Sequence, residues 1–195
     1  GIKFRKDQLT ALRKMKKKQR GVIVFPTGSG KTIIALGFMS MFIGYRILFL
    51  CHTKELIRQT SDELNKFNMD HYLLGDNNKV NWESISKLDS CILISTIQSF
   101  KKAPAEIKRL FFDIVIVDEV HNASSEKTDY GKLMLQCLAP VKIGLTATLP
   151  TKNYEKLVVE GFFGPTIYEL TNEKGEEAGI ISQAKVKMVP GPFQQ

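Results

Sequence analysis

The residues best suited to chemistry form a glycine-rich segment from Pro26 to Thr32, with the order Pro-Thr-Gly-Ser-Gly-Lys-Thr. Its glycines allow a tight turn in which backbone N–H groups point inward and, with the start of a helix, cradle a phosphate. Lys31 is then placed to reach the β- and γ-phosphates of a nucleotide, and Thr32 to ligate Mg²⁺. The full phosphate-loop pattern has glycine where this chain has Phe25, so a turn that merely caps a helix is the alternative.

An acidic pair, Asp118 and Glu119, follows the apolar run 112–117. Two carboxylates at the end of a buried strand are costly unless they are solvated or used. In a phosphate-loop protein this strand lies beside the loop, so Asp118 is placed to hold Mg²⁺ and Glu119 to orient and deprotonate an attacking water. His121, two residues on, is by itself more typical of an ordinary hydrogen-bonded loop histidine.

Short apolar runs alternate with helix-like stretches along the chain. The runs are continuous rather than alternating, which indicates strands buried on both faces of a parallel sheet. They are residues 22–25, 46–51, 91–95, 112–117 and 141–145. Helices are predicted at 8–19, 31–43, 54–67 and 130–138, and an exposed loop at 75–87. The alternation predicts a doubly wound α/β domain.

Six segments resemble, in the same order, the motifs of superfamily-two helicases, the group with DEAD and DExH boxes. They are 5–8 (adenine-reading Q-type motif), 26–32 (motif I), 52–59 (motif Ia), 95–99 (a nucleic-acid motif), 118–121 (motif II, DExH form) and 146–148 (motif III). Phe25 is normal in that group. The resemblance implies a RecA-like P-loop domain, with a mostly parallel sheet and helices on both faces, that uses ATP and Mg²⁺.

The resemblance also implies a role for each matched residue. ATP binding falls to Arg5, Gln8, Thr27, Gly28, Ser29, Gly30, Lys31 and Thr32. Catalysis falls to Lys31, Asp118 and Glu119, with Mg²⁺ on Thr32 and Asp118. Coupling to nucleotide state falls to His121, Thr146 and Thr148, and nucleic-acid contact to Thr53, Lys54, Thr96 and Gln98. Ordinary turn chemistry is an equal alternative for Thr96 and Gln98. Asp7 replaces the family's usual aromatic residue, and Phe4 is a substitute candidate for stacking on adenine.

The segment 164–170, followed by 178–181, is similar to the exit segment of XPB-like and restriction-enzyme-motor helicases, which are mostly DNA motors. We therefore expect an ATP-dependent helicase or translocase lobe, with DNA favoured over RNA as its partner. Residues 1–170 are predicted to form the first lobe, and 171–195 a connector toward a second RecA-like lobe, which in the family supplies the arginine finger. The alternatives are a DExH RNA helicase and a nucleotide-dependent binding switch that does not unwind. A P-loop kinase is disfavoured because it needs neither motif Ia nor motif III.

Composition bears on membrane association and on the cellular compartment of the protein. No apolar run approaches the roughly 18 residues of a membrane span, so we expect no membrane partner. Three widely spaced cysteines, with no paired C-x-x-C spacing, favour reduced thiols and a cytoplasmic location.

The net charge of +8 arises in one segment, because residues 1–20 carry nine basic residues and one acid, Asp7. Leu9, Leu12 and Met15 give this segment one apolar helical edge, so the lysines spread over the outer face. A solvated helix face and extra electrostatic grip on nucleic acid both explain the pattern.

Overall fold

The computed structural model describes residues 3–171 and shows one sheet of seven parallel strands. The strand order across the sheet is β3-β4-β2-β5-β6-β1-β7. The strands are β1 (Arg20–Val24), β2 (Arg46–Cys51), β3 (Tyr72–Leu74), β4 (Cys91–Thr96), β5 (Ile114–Asp118), β6 (Val141–Thr146) and β7 (Thr166–Glu169). The predicted doubly wound α/β fold is thereby confirmed.

Seven α-helices connect and cover the strands. They are α1 (Lys6–Lys18), α2 (Lys31–Ser40), α3 (Lys54–Lys66), α4 (Trp82–Ser86), α5 (Ile97–Phe100), α6 (Asp129–Gln136) and α7 (Asn153–Phe163). A π-helical turn (Ile107–Phe111) precedes β5, and a 3₁₀ turn (Val120–Ala123) follows it. Among residues 3–171, no helix combines the length and apolar character needed to cross a bilayer.

The central strands are apolar along their whole length because both faces of the sheet are covered. In β2, Phe49 packs into the core under α1, α2 and α3, while Leu48 and Leu50 pack into the core on the other face, under α6 and α7. All three side chains are at most 1% exposed. Burial of each such side chain contributes about 1.5–3 kcal/mol, so the sheet interior is the main source of stability.

Most predicted elements agree with the structure, and the differences lie in short or half-exposed segments. The strands β3 and β7 and the helix α7 were not predicted. The predicted loop 75–87 contains α4, whose first turn is capped by the Asn81 side chain, which accepts from the Ser84 N–H at 3.1 Å. Apart from Thr171, the predicted connector 171–195 lies outside the described residues, and so does the segment 178–181.

The carboxyl ends of five strands meet at one edge of the sheet and bring the predicted site together. Val24 of β1 pairs with Thr146 of β6, and Asp118 of β5 pairs with Leu145 of β6. On the other side of β5, Cys51 of β2 pairs with Thr96 of β4. Motifs that are far apart in the chain therefore become neighbours through the parallel register.

Candidate nucleotide site and nucleic-acid edge

The phosphate loop connects β1 to α2 with an open first helical turn. Gly28 and Gly30 have φ angles of +76° and +94°, which L side chains rarely adopt. The Ser29 side chain turns inward, and its hydroxyl donates to the Pro26 carbonyl at 2.5 Å. No side chain caps α2, so the N–H groups of its first turn remain able to bind an anion. Thr27 and Gly28 are exposed at the tip of the loop.

Helix α1 closes one side of this loop through Arg5 and Gln8. The Arg5 guanidinium donates to the Ser29 carbonyl, and the Arg5 N–H donates to Gln8 Oε1 at 3.0 Å. Gln8 is only 3% exposed, and a methyl group on Gly30 would lie 2.6 Å from Gln8 Nε2. Gln8, which is predicted to read adenine, and Arg5, which is predicted to support it, therefore lie directly against the phosphate loop. Phe4, the other candidate, packs instead against α2, where a methyl group on Gly37 would meet its ring at 2.6 Å.

Phe25, which replaces the first glycine of the full loop pattern, is fully buried. Its ring lies 5.5 Å from that of Tyr168 on β7, and its N–H donates to the Thr146 carbonyl at 2.9 Å. The side chain thus fills the core where β1 ends. This packing explains why the loop can form without glycine at that position.

The acidic pair lies opposite the phosphate loop, at the end of β5. Asp118 is 6% exposed, and burial together with the neighbouring Glu119 charge raises its pKa to about 6, although Lys31 opposes the shift. Glu119 has a φ of +54°, and its N–H donates to Asp118 Oδ1 at 3.0 Å. This left-handed turn places Glu119 Oε1 3.5 Å from the Nζ atom of Lys31. The loop lysine and the two carboxylates therefore face one another.

The side chains present fit a magnesium ion. Thr32 offers a hydroxyl that makes no hydrogen bond, and Asp118 has a carboxylate oxygen beyond the one that accepts from Glu119. Hydroxyl and carboxylate oxygens are ligands that Mg²⁺ accepts, with water and nucleotide phosphates completing its shell. Residues 3–171 contain no site in which three or more His, Cys, Asp or Glu side chains could hold a metal ion by themselves. The donor set therefore fits a cation that arrives with the nucleotide.

The three predicted coupling residues lie in one hydrogen-bonded chain beside the acidic pair. His121 Nδ1 lies 3.3 Å from Glu119 Oε2 and 3.0 Å from Thr146 Oγ1. The Thr146 hydroxyl donates to the Thr148 carbonyl at 2.7 Å. Motif II is thereby tied to motif III through side chains, and His121 is hydrogen-bonded within this network.

The four predicted nucleic-acid residues lie along the same edge of the sheet, but their side chains differ in availability. Thr53 and Thr96 accept from the N–H groups of the first turns of α3 and α5, at 3.2 and 3.1 Å. The Lys54 ammonium is exposed and lies 4.0 Å from Asp76. The Gln98 amide donates to an Asp129 carboxylate oxygen at 2.7 Å. The threonines therefore shape the turns, and Lys54 and Gln98 present polar groups outward.

Two further acidic residues at this edge were missed by sequence reasoning. Asp129 binds both Gln98 and Lys101, whose ammonium donates to it at 2.6 Å, and these contacts lower the pKa of Asp129. Asp76 accepts from Arg58 Nε at 2.6 Å. No local sequence pattern predicts such contacts, because each joins residues at least 18 positions apart in the chain.

An aromatic contact also links the two halves of this edge. The rings of His52 and Tyr130 stack with centroids 6.1 Å apart, and the Tyr130 hydroxyl lies 3.5 Å from His52 Nδ1. Burial raises the pKa of Tyr130 well above its usual range. The start of motif Ia therefore packs directly on α6, the helix that follows motif II.

Residues 1–151 match the family described as "Type III restriction enzyme, res subunit" (ResIII). The DNA 3'-5' translocase XPB2 of Sulfurisphaera tokodaii is 29% identical over 188 residues, covering 95% of this chain and 40% of that protein. The probable helicase D10 of Escherichia phage T5 is 31% identical over 142 residues, covering 72% of this chain and 29% of that protein. The chain therefore spans 40% or less of the length of these two relatives.

Among solved structures, the Sulfolobus solfataricus SWI2/SNF2 ATPase core in complex with dsDNA superposes with a TM-score of 0.68. The match covers 83% of this chain and 36% of that chain at 19% identity, so it supports the RecA-like fold and no finer likeness. The family match covers most of the chain, and the motif order and the fold agree with it. The protein belongs to the type III restriction enzyme res-subunit family, in the XPB-like and restriction-motor branch of the superfamily-two helicases.

Proposed function

We propose that this chain is the first RecA-like lobe of an ATP-driven DNA translocase or helicase. In this proposal the phosphate loop binds the nucleotide, and Arg5 and Gln8 lie at its adenine end. Thr32 and Asp118 hold Mg²⁺, which supplies charge neutralisation at the phosphates. Lys31 stabilises the charge that develops on the transferred phosphoryl group, and Glu119 orients and deprotonates the attacking water.

The distance of 3.5 Å between Lys31 Nζ and Glu119 Oε1 carries the proposal. These residues belong to different motifs 88 positions apart, and their contact supports a site in which the γ-phosphate and its attacking water separate them once nucleotide binds. Their side chains are 11% and 26% exposed, so both are sheltered yet reachable from solvent. A bound nucleotide would replace this direct contact, with its phosphates on Lys31 and its water on Glu119.

DNA is favoured as the polymer by the relatives. The Sulfurisphaera tokodaii protein is described as a DNA translocase, and the Sulfolobus solfataricus core was solved with dsDNA. Lys54 and Gln98 would contact the polymer directly, while Thr53 and Thr96 would hold the turns that present backbone N–H groups. Such contacts to phosphates grip the polymer without reading its sequence.

A second RecA-like lobe is the protein partner implied by the proposal. Motif III residues Thr146 and Thr148 link to His121 and so connect nucleotide state to the surface beside the acidic pair. In the helicase group, the second lobe supplies an arginine finger, a type of group that increases phosphoryl-transfer rates about 10³–10⁵-fold. We therefore expect low turnover from the 195-residue protein by itself.

The test measures Mg-ATP affinity and ATP turnover of the 195-residue protein with duplex DNA, single-stranded DNA or RNA. The Lys31→Ala variant serves as the control because it lacks the phosphate-binding ammonium. We expect the unsubstituted protein to bind Mg-ATP and the Lys31→Ala variant not to bind it. We also expect DNA to increase Mg-ATP affinity or ATP turnover more than RNA does. Absence of Mg-ATP binding would refute the motor lobe, and a response to RNA alone would refute DNA as the polymer.

A further inference from the structure

The carboxyl-terminal half of α1 presents three lysines beside the edge strand β7. Lys14, Lys17 and Lys18 are exposed and share a helix face, because residues three and four apart are neighbours on a helix. With Pro165–Ile167 they line a pocket of about 410 Å³. This group of three lysines with its pocket is called the α1 lysine face below.

The charge of this face is not neutralised within the described part of the chain. Within residues 3–171, none of the three ammonium groups has a carboxylate within ion-pair distance, and Asp7, the acid of α1, is held by Arg5 at 3.0 Å. Lys14 Nζ lies 5.2 Å from the Tyr168 ring centroid, which orients the lysine but supplies no counter-charge. The helix dipole favours cations in the last turn, whereas like charges at i,i+4 repel by about 0.2–0.5 kcal/mol.

The lining of this pocket also contains a polar atom without a hydrogen bond. Thr166 at the start of β7 lines the pocket, and its hydroxyl is the single buried side-chain polar atom without a hydrogen bond in residues 3–171. Buried hydroxyl groups are nearly always paired. That hydroxyl is closed to solvent, so the contacts available to a ligand are the three lysines. Three exposed ammonium groups at one pocket, without a carboxylate partner in residues 3–171, are what an anionic ligand with several oxygen acceptors would satisfy.

We propose that the α1 lysine face binds the phosphate backbone of nucleic acid at a second site, apart from the edge that carries Lys54 and Gln98. The strands β4 and β7 are separated by five strand spacings, or about 24 Å. The lysines also lie about 9–15 Å along α1 from Gln8, toward the amino ends of the strands. The segment of polymer that contacts Lys54 and Gln98 would therefore not reach this face, and a flanking segment of the same polymer would.

Phosphate is favoured over an acidic protein by the composition of the face. Lysine is depleted in protein–protein interfaces, which instead favour arginine and aromatic residues. Lysine is a compact charge that contacts phosphate without base recognition, so binding here would be independent of sequence and strongly dependent on salt. The site goes beyond the proposed motor function, because it requires neither ATP nor the acidic pair.

The experiment compares the 195-residue protein with a Lys14→Gln/Lys17→Gln/Lys18→Gln variant in binding a 30-base-pair duplex over a salt series without nucleotide. The control variant, Lys66→Gln/Lys87→Gln/Lys156→Gln, removes the same charge elsewhere on the surface. For the triple variant we expect the loss of three phosphate contacts. The negative slope of log K against log salt should become shallower by about 2.7, and duplex binding should weaken about tenfold or more at low salt. The control is expected to change binding less than threefold.

Equal losses in the two variants, or no loss in either, would overturn the proposal. Preferential loss of binding to polyglutamate, with duplex binding unchanged, would also overturn it and assign the face to an acidic protein segment. Mg-ATP affinity, measured on the same samples, should match the unsubstituted protein in both variants, because the substitutions lie away from the phosphate loop. Failure of the motor proposal would appear in Mg-ATP binding and turnover, whereas failure of this proposal appears in salt-dependent duplex binding.

Discussion

The Thr146 hydroxyl donates to the Thr148 carbonyl at 2.7 Å and therefore accepts at its 3.0 Å contact with His121 Nδ1. A hydroxyl has one proton, so the proton of the Thr146–His121 bond must be on the imidazole. The same Nδ1–H lies 3.3 Å from Glu119 Oε2. The position of the His121 proton is thus fixed by motif III on one side and by the proposed catalytic base on the other.

Thr146→Val tests this relationship. Valine keeps the shape of threonine but removes the acceptor for His121 and the donor to Thr148. We expect a loss of about 1 kcal/mol in the free energy of unfolding, Mg-ATP affinity within about threefold, and weaker polymer-stimulated turnover in a protein that carries both lobes. Thr148→Val is the matched control, because the carbonyl that accepts from Thr146 is retained. Equal effects of the two substitutions would contradict the network.

Glu119→Gln tests the assigned base. The amide keeps the size of the side chain but cannot take a proton from water, so ATP turnover should fall about 10²–10⁴-fold. Mg-ATP binding should persist, because Lys31 and the loop N–H groups are unchanged. Glu126→Gln, an exposed carboxylate a few residues beyond, provides the control. Normal hydrolysis by a two-lobe protein carrying Glu119→Gln would show that another group activates the water.

The sheet and the phosphate loop could be predicted because each produces a recognisable pattern within a short stretch of sequence. The continuous apolar run Ile47–Cys51 reflects a strand covered on both faces, and Gly28 and Gly30 mark a turn with positive φ. The three-residue strand β3 carried no such signal, because it lies at the edge of the sheet and Tyr72 is exposed. Edge strands pack on fewer neighbours and need not be apolar, so their composition resembles that of loops.

The contacts within the site were predictable only as far as the motifs specify neighbours. Lys31 and Glu119 were expected to face the same phosphate, and they lie 3.5 Å apart. The binding of Gln98 by Asp129 was not predicted, because it depends on how α6 begins relative to α5. Propensity and hydrophobic period describe single elements, whereas this contact is set by tertiary packing between two of them.

The pH dependence of stability tests the environment of Asp118. Burial and Glu119 raise its pKa from 3.8 to about 6, so the folded protein retains a proton that the unfolded chain has released. Without metal or nucleotide, the free energy of unfolding therefore decreases as pH rises from about 4 to about 6. Above that window, the buried Asp118 charge lowers it by up to about 3 kcal/mol. Asp118→Asn should remove this slope.

The measurement is urea unfolding in EDTA at half-unit steps between pH 4 and pH 7, for the unsubstituted protein and Asp118→Asn. The difference between the two curves removes the contribution of titrating groups that do not interact with Asp118. Asp89→Asn, at an exposed position before β4, should give a difference that stays flat with pH. A flat difference for Asp118→Asn as well would show that the carboxylate is better solvated than its 6% exposure indicates.

Asp129→Asn tests whether the acidic residue restrains the proposed nucleic-acid edge. Asp129 accepts from Gln98 at 2.7 Å and from Lys101 at 2.6 Å, so it both occupies these side chains and repels phosphate. Asparagine removes the charge and weakens both contacts, and we expect duplex affinity to rise about two- to fivefold at low salt. Asp89→Asn makes the same charge change at the opposite end of β4 and should leave affinity nearly unchanged. If affinity falls instead, Asp129 holds Gln98 and Lys101 in the orientation that binds the polymer, because the entropy cost of ordering two freed side chains on binding then exceeds the gain from removing one negative charge.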